Sequence, residues 1–204
     1  MAEIHPLRKE TSEPVNIGDR ALDNLKFIRE TMERSAVFTS VPGYGGILMG
    51  VTALVAAYIA NTQDYLRDWL IVWLIEAILA FSIGLLAMWQ KSKIAKTPLT
   101  SAPARKFALS FLPPLICGIV LTIGLWRYEH YEVMAATWLL CYGAAIVTGG
   151  AFSVKVIPVM GWCFIALGTI GFLVPRGYGD ELMAAGFGVL HIAFGSIIAA
   201  RYGG

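Results

Sequence analysis

Charged residues are scarce in this chain, and the scarcity is uneven. Lys, Arg, Asp and Glu make up only 15% of 204 residues, where a soluble domain averages about a quarter. Thirteen of the charged residues lie in the first 34 positions, and beyond them Glu76 is the only acid inside an apolar stretch. Cysteine is limited to Cys117, Cys141 and Cys163, each in a different apolar stretch and without CxxC or zinc-type spacing. Such thiols read as small buried hydrophobes, not ligands. There is no nucleophile–base motif, no pair of acids spaced for acid–base work and no Gly-Lys-Ser/Thr phosphate loop. No basic patch carries the aromatic platforms that nucleic-acid binding needs. These absences exclude the common enzyme motifs, and no cofactor, metal ion or nucleic acid is expected. The charged N-terminus has no apolar core segment, so no signal peptide is expected.

What the chain has instead is apolar length. It is 57% hydrophobic, with a mean hydropathy of +0.65. Six stretches, at about 41–60, 68–89, 107–126, 132–149, 156–173 and 181–200, approach the roughly 20 residues a helix needs to cross a bilayer core. Backbone groups in lipid must bond within their own segment, and these runs lack the alternation of barrel strands, so they read as helices. The expected fold is an all-α integral membrane protein of six transmembrane helices, arranged as three antiparallel hairpins in a bundle (37–204) behind an N-terminal cytoplasmic segment (1–36). Thirteen of the sixteen Lys and Arg residues fall on one side of this topology. The positive-inside rule then puts both termini in the cytoplasm. A compact chain of this kind without sorting signals points to a bacterial inner membrane.

The N-terminal segment starts as a polar, Pro-containing stretch over residues 1–16, expected to be poorly ordered. Residues 17–36 then predict a helix, with Asp19 as N-cap and apolar residues at Leu22, Leu25, Ile28 and Met32. Its other face offers Lys26/Glu30, Arg29/Glu33 and Glu30/Arg34 pairs four residues apart. Such a helix either lies on the cytoplasmic interface or docks a soluble partner. Farther along, Thr-Ile-Gly recurs at 122 and 169, and Glu132-Val-Met-Ala-Ala recurs as Glu181-Leu-Met-Ala-Ala. This suggests that the second and third hairpins are copies.

Inside the spans, small residues and isolated polar ones stand out. Gly43, Gly46, Gly50, Ala53, Ala57 and Ala60 follow one another at steps of three and four, a stripe that lets helix backbones approach closely. Glu76 lies about 12 Å past the start of its span, and His191 about 15 Å past the start of its own, at 1.5 Å per residue. Tyr142 lies at the same depth as His191. An ionisable group in a bilayer is a site hypothesis with a partner to be named. Glu76, His191 and Tyr142 are therefore expected as one cluster, either a proton or ligand site or a structural hydrogen bond. Pro113-Pro114 should kink the third span and free carbonyls near Ser110. "GYGD" at 177–180 matches letters of a potassium filter, but no room exists for a pore helix, so it reads as a turn before a helix start. Two functions follow as expectations. One is a non-enzymatic accessory or regulatory subunit, bound to the lipid bilayer and to a second copy or a protein partner through the N-terminal helix. The other is a small proton- or solute-linked transporter or channel that uses Glu76 and His191.

Overall fold

The computed structural model describes residues 17–35, 38–96, 98–175 and 177–203. The expectations for residues 1–16 lie outside them, as does Arg176, and so do the side chains of Asp19, Arg29, Glu30, Glu33 and Arg34. Two compact units divide the chain, one ending at Ala36 and the other starting at Val37. The described part of the first is helix α1 (Ile17–Ser35). Its Leu22, Leu25, Ile28 and Met32 are all exposed.

The second unit holds helices α2 (Gly43–Ala60), α3 (Leu66–Ile94), α4 (Ala102–Arg127), α5 (Met134–Gly150) and α6 (Val156–Leu173). The sixth span, Gly179–Tyr202, comprises a short α7 (Gly179–Met183), a π-helical stretch Ala184–Leu190 and α8 (His191–Tyr202). Six helices are thus long and apolar enough to cross a membrane, and among the described residues there is no strand. The chain is an all-α, multi-pass membrane protein. α3 and α4 run several residues past the apolar stretches that announced them, because their polar ends keep the helical hydrogen-bond ladder after the apolar core stops.

Consecutive spans run antiparallel, but the closest packing follows small residues more than connectivity. Lipid gives helices no hydrophobic reason to associate, so dispersion at short range must hold them. Two pairs reach backbone contact. On α2, a Cβ added at Gly43 would lie 2.3 Å from the Ala199 nitrogen, and one at Gly50 would lie 2.6 Å from the Gly188 carbonyl oxygen. Ala53, Ala57 and Ala60 continue that stripe and are buried. On α5, a Cβ at Gly143 would lie 2.8 Å from the Gly161 carbonyl of α6, and Gly168 closes on the Leu140 nitrogen at 2.9 Å. The sixth span therefore pairs most closely with α2, and α6 with α5. α2 and α5 are the buried pillars, at 44% and 50% of their spans, whereas α3 and α4 are only 11% buried. Cys117 follows from this: it lies exposed on α4 rather than buried, because most of α4 has no protein neighbour.

Polar side chains fasten the bundle at both ends. At the basic end, Lys91 Nζ donates to the carbonyls of Val41 (3.0 Å), Tyr202 (3.1 Å) and Gly203. One cation thus binds the C-terminal end of the sixth span, where the helix dipole is negative, and the approach to α2. Nearby, Ser153 Oγ donates to the Phe38 carbonyl at 2.6 Å and the Phe38 amide to the Phe152 carbonyl at 2.8 Å. At the acidic end, Asp180 Oδ1 accepts from the indoles of Trp69 (2.7 Å) and Trp73 (3.1 Å), one turn apart on α3. Gly177, at φ +112°, makes the turn before this helix start, a backbone angle that disfavours other residues. Hydrogen bonds to a charged acceptor contribute about 1.5–3 kcal/mol. Asp180→Ala should therefore lower unfolding stability in mixed micelles by about 2 kcal/mol and shift the tryptophan emission, which a denaturant titration read by fluorescence would check.

Pro113 and Pro114 sit within α4, which remains one helix from Ala102 to Arg127. Pro114 has no N–H for the Ser110 carbonyl. Thr148 of α5 offers a donor, with its Oγ1 2.8 Å from that oxygen and also 2.8 Å from the Ala144 carbonyl of its own helix, so one proton is shared between the two. The freed carbonyl thus faces a hydroxyl of a neighbouring helix, the arrangement expected of a static irregularity rather than a hinge.

Candidate functional site

Glu76, Tyr142 and His191 fall into two separate centres. The first joins α5 to the sixth span: the Tyr142 hydroxyl and His191 Nε2 share a 2.7 Å hydrogen bond. Both side chains descend from the acidic end, which explains their common depth. Around them stand Phe111 of α4, Phe164 of α6 and Phe187 of the π-helical stretch. The Tyr142 ring lies 4.9 Å from Phe164 and from Phe187 and 6.2 Å from Phe111, centroid to centroid. Phe164 and Phe187 also flank the imidazole, at 5.4 and 6.0 Å. The rings continue through Phe107 to Phe38 at the basic end. This shell closes the pair off, and His191 is 5% exposed.

The π-helical stretch explains how the imidazole fits. Its Gly186 faces Leu139 and Phe164, and a Cβ there would lie 2.4 Å from Leu139 Cδ2. Gly188 faces Leu54 as closely. The helix widens by a residue where two glycines permit close contact on two sides, and His191 is the first residue beyond. His191 Nδ1 is buried without a hydrogen bond of acceptable geometry, although the Gly186 and Phe187 carbonyls bear on the ring from the turn below.

The second centre is Glu76 with Thr52. Thr52 Oγ1 of α2 donates to Glu76 Oε1 of α3 at 2.8 Å. Glu76 does not join the first centre, because α2 stands between them. Residues two apart on a helix point about 200° apart. Gly50 accordingly faces Gly188 and Ile192 of the sixth span, while Thr52 faces Glu76. The expectation of one cluster is corrected here. Equal depth brought Tyr142 to His191, but it did not fix the direction in which Glu76 points.

Glu76 and Thr52 line a groove of about 380 Å³ between α2 and α3. Val51, Val55, Ala56 and Ile59 of α2 and Val72, Ile75 and Leu79 of α3 form the rest of it. Most of these side chains are exposed on the apolar flank of the bundle, so the groove opens sideways, toward the bilayer. A smaller recess of about 220 Å³ lies at the acidic end among Glu132, Pro175, Tyr178 and Leu182.

The chain matches no family model, no curated protein and no solved structure. Its function therefore has to be argued from these centres. Among the described residues no group of three or more His, Cys, Asp and Glu comes together. His130 Nδ1 lies 3.9 Å from Glu132 Oε1. The ring shell of Phe111, Phe164 and Phe187 was not anticipated, because a phenylalanine in a span is ordinary lipid-facing or core material. One signal for the pair was present: Tyr142 and His191 are separated by 49 residues. The same offset relates Glu132-Val-Met-Ala-Ala to Glu181-Leu-Met-Ala-Ala.

Proposed function

We propose that this chain is a non-enzymatic accessory or regulatory membrane subunit, with both termini in the cytoplasm of a bacterial inner membrane. The observation that carries the reading is α1, a helix in its own unit whose apolar residues Leu22, Leu25, Ile28 and Met32 are exposed. An amphipathic helix with an uncovered stripe is a handle for another protein. Further support comes from α3 and α4, two spans with little of their surface buried, and from intramembrane polar groups that bond to each other rather than converge on a reacting centre. The orientation rests on the concentration of Lys and Arg at one side.

Purification of the full chain from native membranes in mild detergent should bring down a stoichiometric soluble protein. A chain lacking residues 1–36 should lose it while keeping its elution volume as a folded bundle. The reading fails if the full chain elutes alone, or if the same protein remains after the deletion.

One observation favours the transporter alternative, the groove at Glu76. Against it, His191 is enclosed by rings and lies across α2 from Glu76, so the two groups do not form a relay. A transporter reading would therefore rest on Glu76 alone.

A further inference from the structure

We propose that the groove between α2 and α3 is a binding site for a lipophilic amine that enters from the bilayer, its apolar body held by the groove walls and its ammonium group by the Glu76 carboxyl. The site goes beyond the accessory-subunit reading and is tested apart from it, on the isolated chain with no partner present.

The first reason is a carboxyl group with no basic partner among the described residues. Glu76 is 7% exposed, and its one hydrogen bond comes from a neutral hydroxyl, which engages Oε1. An acid within a bilayer is expensive and normally has a basic partner on a neighbouring helix. The sequence has no Lys, Arg or His between Arg67 and Lys91, and His191 is turned to Tyr142. Among the described residues no basic group is bonded to Glu76, and an amine from the bilayer can supply one. Lipid itself does not provide it. Acyl chains fill the groove but have no donor, and Glu76 lies ten residues into α3, about 15 Å from its start at 1.5 Å per residue, below the reach of headgroup amines.

The second reason is shape. A transmembrane helix of another protein could in principle bring a donor, but close helix approach needs small residues at the contact. The rim of this groove is bulky, with Val51, Val55 and Ile59 facing Ile75 and Leu79. Ala56, the smallest residue of the lining, is only 5% exposed and offers little surface to an incoming helix. The walls extend over Val51 to Ile59, about 12 Å along the helix. A volume near 380 Å³ is at the lower end of the range for small-molecule sites, about 300–1,000 Å³. Mostly apolar walls with one or two placed polar groups are the usual makeup of such a site. A compact amine fits this description, and a helix does not.

The test uses tritiated 4-phenylbutylamine and its neutral counterpart, 4-phenylbutanol, with the full chain in phosphatidylcholine nanodiscs and empty nanodiscs as the partition blank. Saturable amine binding above the blank is expected, at least tenfold tighter than for the alcohol. Glu76→Gln should weaken it at least tenfold. Val55→Trp, which fills the groove and keeps the carboxyl, should abolish it, and this variant serves if Glu76→Gln does not fold. Uptake equal to the blank overturns the proposal, as does equal binding of amine and alcohol or unchanged binding in folded Glu76→Gln. Efficient cross-linking of two copies through Ile75→Cys would assign the groove to a second chain instead, and would equally overturn it.

Discussion

Gly161→Leu is expected to prevent α5 and α6 from packing, at a cost of about 3 kcal/mol or more, the upper end of what overpacking does. Each helix offers the other a glycine. A Cβ at Gly161 would lie 2.8 Å from both the Gly143 carbonyl and the Val147 nitrogen. Both atoms are backbone, so neither can swing aside, and the helices would have to separate along their length. In lipid there is no hydrophobic term to compensate, because acyl chains are as apolar as the side chains they would replace. Gly50→Leu should do the same to α2 and the sixth span, since its Cβ would meet the Gly188 carbonyl at 2.6 Å. Gly124→Leu is the internal control: nothing lies within 4 Å of a Cβ there, and its effect should stay within about 0.5 kcal/mol. The fraction of monodisperse protein by size exclusion, followed by reversible unfolding in mixed micelles, separates the three. Equal behaviour of Gly161→Leu and Gly124→Leu would remove close backbone approach from the account.

The second large effect concerns Tyr142 and His191. Either single change, Tyr142→Phe or His191→Leu, should destabilise by about 1–3 kcal/mol, because each leaves a buried polar group with no partner. The double change should recover much of the loss, since two apolar groups leave nothing to satisfy. Within bilayers, coupling energies of helix–helix hydrogen bonds average about 0.6 kcal/mol and reach about 1.7. A value near the top of that range is expected here, because the rings of Phe111, Phe164 and Phe187 surround the pair and exclude water from it. A coupling near zero in the double-mutant cycle would mean that the two groups do not depend on one another.

The limits of reading this fold from sequence are physical. The six spans follow directly from apolar length, since a bilayer imposes a minimum that soluble helices do not meet. The small-residue stripe of α2 was legible for the same reason, but its partner was not: a stripe specifies close approach without specifying to what. Chain connectivity suggested hairpins, and α2–α3 and α4–α5 do pack as neighbours. The tightest contacts nevertheless fell to α2 with the sixth span and α5 with α6, where glycines face one another. Depth along a helix is a one-dimensional quantity. It put Tyr142 level with His191, and they meet; it gave Glu76 a similar depth, and α2 intervenes. Trp69 and Trp73 carried a signal, two indoles one turn apart level with Asp180, but aromatic residues near span ends are expected at any membrane interface. The π-helical stretch had no signal beyond Gly186 and Gly188.

The central claim is that Glu76, at the groove between α2 and α3, opens to the bilayer and not to water. Carbodiimides test it directly, because they modify carboxyl groups and can be chosen by solubility. Membranes containing the full chain would be treated in parallel with lipid-soluble dicyclohexylcarbodiimide and with a water-soluble, charged carbodiimide, and the peptide carrying Glu76 analysed by mass spectrometry. The account predicts modification of Glu76 by the lipid-soluble reagent alone, while exposed acids such as Glu129 react with the water-soluble one. Modification of Glu76 by the charged reagent would reveal an aqueous path to the middle of the bundle and would contradict the account.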